Sequence, residues 1–77
     1  MIERLDNLVE MIREGGGDSS VGVLSTGERC YVAVAAERYD LLPQSYADPI
    51  EAWHRLDSDW QLHVCQWRGW PKNYAHG

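Results

Sequence analysis

Residues 21–35 read VGVLSTGERCYVAVA, and the reading of this stretch sets the fold class. Positions 21–25 and 29–35 are short runs rich in β-branched residues, separated by Thr26, Gly27 and Glu28. Such runs favour strands, and a glycine between them supplies the positive φ of a tight turn, so the stretch predicts a β-hairpin. Cys30, Val32 and Val34 would face one way and Tyr31, Ala33 and Ala35 the other. Both faces are largely apolar, and two strands alone are marginal, so helices must cover them. The unpaired edges are either solvated or a strip for a partner strand. With helical patterns on both sides, the expected class is α+β: N-terminal helix, β-hairpin, short helix, C-terminal helical pair with a Trp stripe.

Upstream, residues 2–14 pattern as a helix. Ile2, Leu5, Leu8, Val9 and Ile12 form an apolar face, and Glu3, Asp6, Glu10, Arg13 and Glu14 ring the other side. Gly15, Gly16 and Gly17 end it, and residues 15–20 read as a Gly/Ser linker. This is not a phosphate-binding loop, which would follow a strand and carry a lysine.

Downstream, residues 36–42 suit a short helix that Pro43 stops. Asp48 can then cap a new helix, with Pro49 at its first position and Glu51 at its third. Ser58, three residues before Gln61, has the form of a second capping box, so the region 49–68 reads as two helices, 49–56 and 59–68, bent near Asp57. Trp53, Trp60 and Trp67 are spaced by seven, and with Leu56 and Val64 they predict one stripe packing on hairpin and first helix. Burying three indoles contributes on the order of 15 kcal/mol gross at ~25 cal/mol per Å². Gly69 and Pro71 close the pair, and 72–77 is expected to be a frayed tail.

A chain of 77 residues makes a single domain, 1–77, with a thin core. No segment is apolar for long enough to span a bilayer, and the charged first 14 residues do not resemble a signal peptide, so the cytoplasm is the expected location. There, Cys30 and Cys65 are expected as reduced, buried thiols rather than a disulfide.

The net charge is −5 and uneven. Residues 1–59 hold all twelve acids against five arginines, −7, while 60–77 carry +2 from Arg68 and Lys72. Such a surface repels phosphate backbones and attracts a basic partner, although −5 also suffices simply to keep a small protein dissolved. No cofactor is expected. His63 and Cys65 are two apart and diverge on a helix; on a strand they would share a face, with Cys30 as a third zinc ligand. Cys65 with His54, or Cys30 with His63, lacks any local nucleophile signature, and Asp57 and Asp59 sit where helix-capping acids sit. The chain is therefore not expected to be an enzyme. The helical pair also admits a helix-turn-helix reading, with Gln61, His63, Gln66 and Arg68 facing a major groove, but one arginine on that helix is too few for phosphate contacts. A small oligomeric adaptor is a further alternative.

Four Trp and four Tyr exceed what so small a core requires. Tyr39, Tyr46, Trp70 and Tyr74 fall in loops, helix ends or the tail, some of them beside acids such as Asp40 and Asp48. Aromatic anchors ringed by carboxylates suit an Arg/Lys-rich groove of the kind nucleic-acid enzymes present. The bland alternative is that these rings fold inward and the acids are plain surface.

This profile resembles the small, acidic, single-domain proteins that phages encode against host defences, anti-CRISPR proteins in particular. The resemblance covers the whole chain in size and charge and rests on no motif. It implies stoichiometric, non-enzymatic inhibition of a CRISPR effector subunit or nuclease at its nucleic-acid-binding surface, in the host cytoplasm. The +2 segment 60–77 departs from a uniformly acidic DNA mimic. The expected partner is thus a basic protein surface, with no direct nucleic acid and no membrane, and the oligomeric state stays open. The expected contact residues are Glu3, Asp6, Glu10 and Glu14 on the first helix, with Tyr39, Asp40, Tyr46 and Asp48 nearby.

Overall fold

The computed structural model describes residues 2–16 and 18–76, and among them there is no strand. Four α-helices carry the fold: α1 (Ile2–Arg13), α2 (Thr26–Ala35), α3 (Pro49–Arg55) and α4 (Ser58–Arg68). Short 3-10 helices at Asp18–Val23, Tyr39–Leu41, Gln44–Tyr46 and Lys72–His76 join or follow them. The expected α+β class is overturned. The chain is all-helical, and α2 stands where the hairpin was predicted.

Ser25 and Glu28 account for the difference. The Glu28 N–H donates to Ser25 Oγ at 3.3 Å while the Ser25 N–H donates to Glu28 Oε1 at 2.9 Å, which is a complete capping box. Thr26, Gly27 and Glu28 are thus the first turn of a helix rather than a hairpin turn. From Cys30 to Ala36 every residue is buried, so neither a two-residue nor a 3.6-residue rhythm marks the run. The strand preference of Val and Tyr is a weak prior that burial overrides.

Helices α1, α3 and α4 all pack on α2. Leu5, Val9 and Ile12 of α1, Ala52 of α3, Leu56, and Val64 of α4 join its buried side chains in one core. Ala33, Ala35 and Ala36 keep α2 slim enough for its neighbours to approach.

α2 ends in a Schellman motif. The Arg38 N–H reaches the Ala33 carbonyl at 2.9 Å and the Glu37 N–H reaches Val34 at 3.3 Å. Glu37 takes the left-handed conformation, φ 60°, that glycine normally fills there. The short helix expected over 36–42 is replaced by this reversal and a single 3-10 turn, whose Leu41 carbonyl accepts from Arg29 Nε at 2.7 Å. The expected linker over 15–20 is also corrected. Gly15, φ 98°, and Gly16 close α1, but a 3-10 helix starts at Asp18; Gly17 lies outside the described residues.

Asp48 caps α3 by accepting from the Ile50 N–H at 2.9 Å, with Pro49 in the first turn. Leu56 and Asp57 are extended and break the pair. Asp57, not Ser58, is the N-cap residue of α4, and it makes no side-chain cap. Gln61, assigned to a capping box above, instead donates its amide to the Trp53 carbonyl across the bend at 2.8 Å. The turn is sharp enough to scatter the tryptophan stripe. Trp53 packs edge-on against Trp70, centroids 5.5 Å apart, Trp60 packs against Tyr31 at 5.4 Å, and Trp67 reaches α1. All three are half-buried and ring the core instead of forming it. The frayed tail is a correction too: Lys72–His76 is helical and packs on α4, with Ala75 fully buried. Gly77 is outside the described residues.

Two stability predictions follow from these contacts. Ser25→Ala should cost about 1 kcal/mol, read as a lowered thermal midpoint. The Ser25 backbone hydrogen bond, then its hydroxyl and Arg4, hold Glu28 below the usual carboxylate range. A depressed value stabilises above the unfolded value of about 4.3, so this share of stability is lost as pH falls through the folded value. Tyr31 is the opposite case: burial first, then the hydrogen bond to Asp6, pushes its phenol up. Its contribution is complete below about 10 and lost as pH rises above that. Tyr31→Phe should therefore be about 1–2 kcal/mol less stable at neutral pH but lose less stability in alkali, as urea titrations would measure.

Candidate functional site

Two surface regions combine aromatic rings with charge, and they lie on different elements. The larger is an apolar groove of about 540 Å³ lined by Val34 from α2, Tyr39, Pro49, Ile50, Trp53 and His54 around α3, and Trp70, Asn73 and Tyr74 beyond α4. Ile50 is 68% exposed, Tyr74 50% and Tyr39 40%. The left-handed Gly69, φ 69°, reverses the chain after α4 and lays Trp70 against Trp53 and Tyr74.

Arg68 ties this groove together. Its guanidinium lies 4.5 Å from the Trp70 ring centroid and donates to Tyr39 Oη at 2.7 Å and to the Val34 carbonyl at 3.2 Å. Glu37, set in its left-handed turn, pairs with it at 3.3 Å. The Arg68 side chain is 14% exposed, so it braces the lining residues Val34, Tyr39 and Trp70 and is not a free cation.

The second region is α1 beside α4. Asp6 Oδ1 accepts from Tyr31 Oη at 2.5 Å and from Trp67 Nε1 at 3.0 Å, which fixes the indole against the helix. Two shallow hollows share Trp67 as a wall: one of about 250 Å³ with Asp6, His63 and Gln66, one of about 210 Å³ with Glu10, Arg13 and Glu14. Arg13 lies 5.6 Å from the Trp67 ring centroid. Glu3 and Glu10 on α1 and Glu14 one residue past its end, spaced by seven and four, form one exposed row. Among the described residues none of the three makes an ion pair or side-chain hydrogen bond.

The expected contact residues therefore divide. Glu3, Glu10 and Glu14 are open, and Asp6 is engaged internally. Tyr39 lines the groove. Asp40 is exposed but accepts from Arg38 Nε and Nη2, each at 3.0 Å, which hold its carboxyl below the usual range, and Asp48 is committed to its cap. Tyr46 is half-buried against the core. No α1 residue lines the groove, so the two halves of the expected interface are not brought together. Sequence reasoning missed Ile50, which lies off the tryptophan spacing, and placed Trp53 and Trp67 in a core stripe. Trp70 and Tyr74 were visible as aromatics with no helix to hide in.

Burial pushes both the Cys30 and Cys65 thiols up, away from the thiolate a nucleophile requires, and both are free. Among the described residues no three of His, Cys, Asp and Glu gather as a metal site. Of the four side chains that a helix-turn-helix reading would point at DNA, Gln61 and Arg68 face inward. Among the described residues no helix is long and apolar enough to cross a membrane. No family model, curated protein or solved structure matches the chain.

Replacing Arg68 by Ala should remove the stacked cation and its hydrogen bonds together, destabilising by about 2–3 kcal/mol. Thermal melts would measure the loss, and Glu37→Ala, which deletes only the exposed ion pair, should cost less than about 1 kcal/mol.

Proposed function

We propose that this chain is a non-enzymatic binding protein that docks acidic helix α1 on a basic surface of a protein partner and inhibits it by occupancy. The row of Glu3, Glu10 and Glu14, which forms no ion pair among the described residues, is the observation that carries this reading. Open carboxylates beside a half-buried indole, Trp67, combine long-range steering with a contact that fixes register. The aromatic groove adds apolar area on a second face. A basic surface of this kind is what enzymes acting on DNA or RNA offer, so the partner class is a CRISPR effector subunit, nuclease or similar enzyme in the cytoplasm. The chain acts there as a decoy for the phosphate backbone, in the manner of the anti-CRISPR-type proteins.

Capture of partners from cell lysate on the immobilised chain tests this reading. The double variant Glu10→Lys/Glu14→Lys should bind the captured partner at least about tenfold more weakly, chiefly through slower association, and the difference should shrink as salt rises. Unchanged affinity would remove α1 from the interface. A gel shift at low salt separates the nucleic-acid alternative, since a DNA-binding regulator must retard DNA under those conditions.

A further inference from the structure

We propose that the Trp67 indole is a seat for a guanidinium, and that an arginine of the partner takes it by displacing the chain's own Arg13. This inference rests on the docking face just described and names what that face recognises. The ring is anchored from one edge by the Nε1 bond to Asp6, so it stands as a fixed platform. A cation already rests on it: the Arg13 guanidinium lies 5.6 Å from the ring centroid, within cation–π range. Glu10 and Glu14 line the same hollow, so a second cation would meet two carboxylates as it arrives.

Arg13 itself is loosely held. It is exposed, makes no ion pair among the described residues, and reaches the Trp67 carbonyl only at a long 3.5 Å. Arg68 is the internal contrast. It stacks closer on Trp70, bonds Val34 and Tyr39, and is largely buried, so it cannot be exchanged without taking the groove apart. An occupant that is weakly tethered lowers apparent affinity by the fraction of time it fills the seat. A planar guanidinium stacks on an indole better than an ammonium does, so the seat selects arginine over lysine.

Octa-arginine and octa-lysine peptides serve as probes, titrated calorimetrically into the full chain at low ionic strength. The chain should bind octa-arginine more tightly than octa-lysine. Arg13→Ala should raise the octa-arginine affinity about three- to fivefold, the equivalent of a vacated cation–π contact. Arg4→Ala removes the same charge from α1 where it pairs with Glu28 instead, and should give a clearly smaller gain. Trp67→Leu should erase the preference for arginine. A gain from Arg13→Ala no larger than from Arg4→Ala, or equal affinity for the two peptides, overturns the inference and leaves the acidic docking face standing. Binding of neither peptide to the unaltered chain overturns the docking face, and the inference with it.

Discussion

Everything in this molecule is arranged around a helix whose C-terminal half has no wet side. From Cys30 to Ala36 each residue of α2 and its cap is shielded, and this forces the other three helices to take up positions around it. Alanines along the run leave room for the neighbouring helices, while Tyr31, Val32 and Val34 of α2 interlock with Leu5, Val9, Ile12 and Val64 on the surrounding helices. With the centre filled in this way, no tryptophan can enter it. All four indoles sit at half depth, packed against the core. The aromatic surface thus follows from the core.

That surface carries cations on its rings in two different ways. Arg68 is part of the architecture, bonded on several sides and stacked on Trp70. Arg13 rests on Trp67 with little else to hold it. Between them lies the electrostatic logic of the proposed function. Asp40, Glu37 and Asp48 are committed to Arg38, Arg68 and a helix cap, whereas the α1 row is left open. Glu51, Asp57 and Asp59 are exposed without an ion pair among the described residues as well, but it is Glu10 and Glu14 of the α1 row that share a hollow with Trp67.

Elements with their own start and stop chemistry were legible in the sequence. The amphipathic rhythm of α1, its terminal glycines, the Asp48–Pro49 start and the Gly69 stop all act within a few residues, so local reading suffices for them. The stretch 21–35 was not legible by rhythm, because a helix buried all round shows no period. Its one local signal, Ser25 followed by Glu28, was present and outweighed by the β-branched residues. The tryptophan spacing misled for another reason: a seven-residue repeat aligns side chains only along an unbroken helix, and Leu56–Asp57 breaks it. For the candidate site, the exposed row on α1 could be read directly. The fate of Asp6 could not, since its partners Tyr31 and Trp67 are distant in sequence. The groove joins residues from α2 to the 3-10 helix after α4, and only the fold assembles it.

The near-perpendicular contact of Trp53 and Trp70 has an optical consequence. Two indoles with centroids 5.5 Å apart and planes inclined at 69° are close enough and skewed enough for their electronic transitions to couple. Circular dichroism of the native chain should then carry an exciton couplet on top of its helical bands, making the spectrum an unreliable gauge of helix content. The same couplet, arising from one wall of the groove, would give a label-free chiroptical signal for whatever enters there.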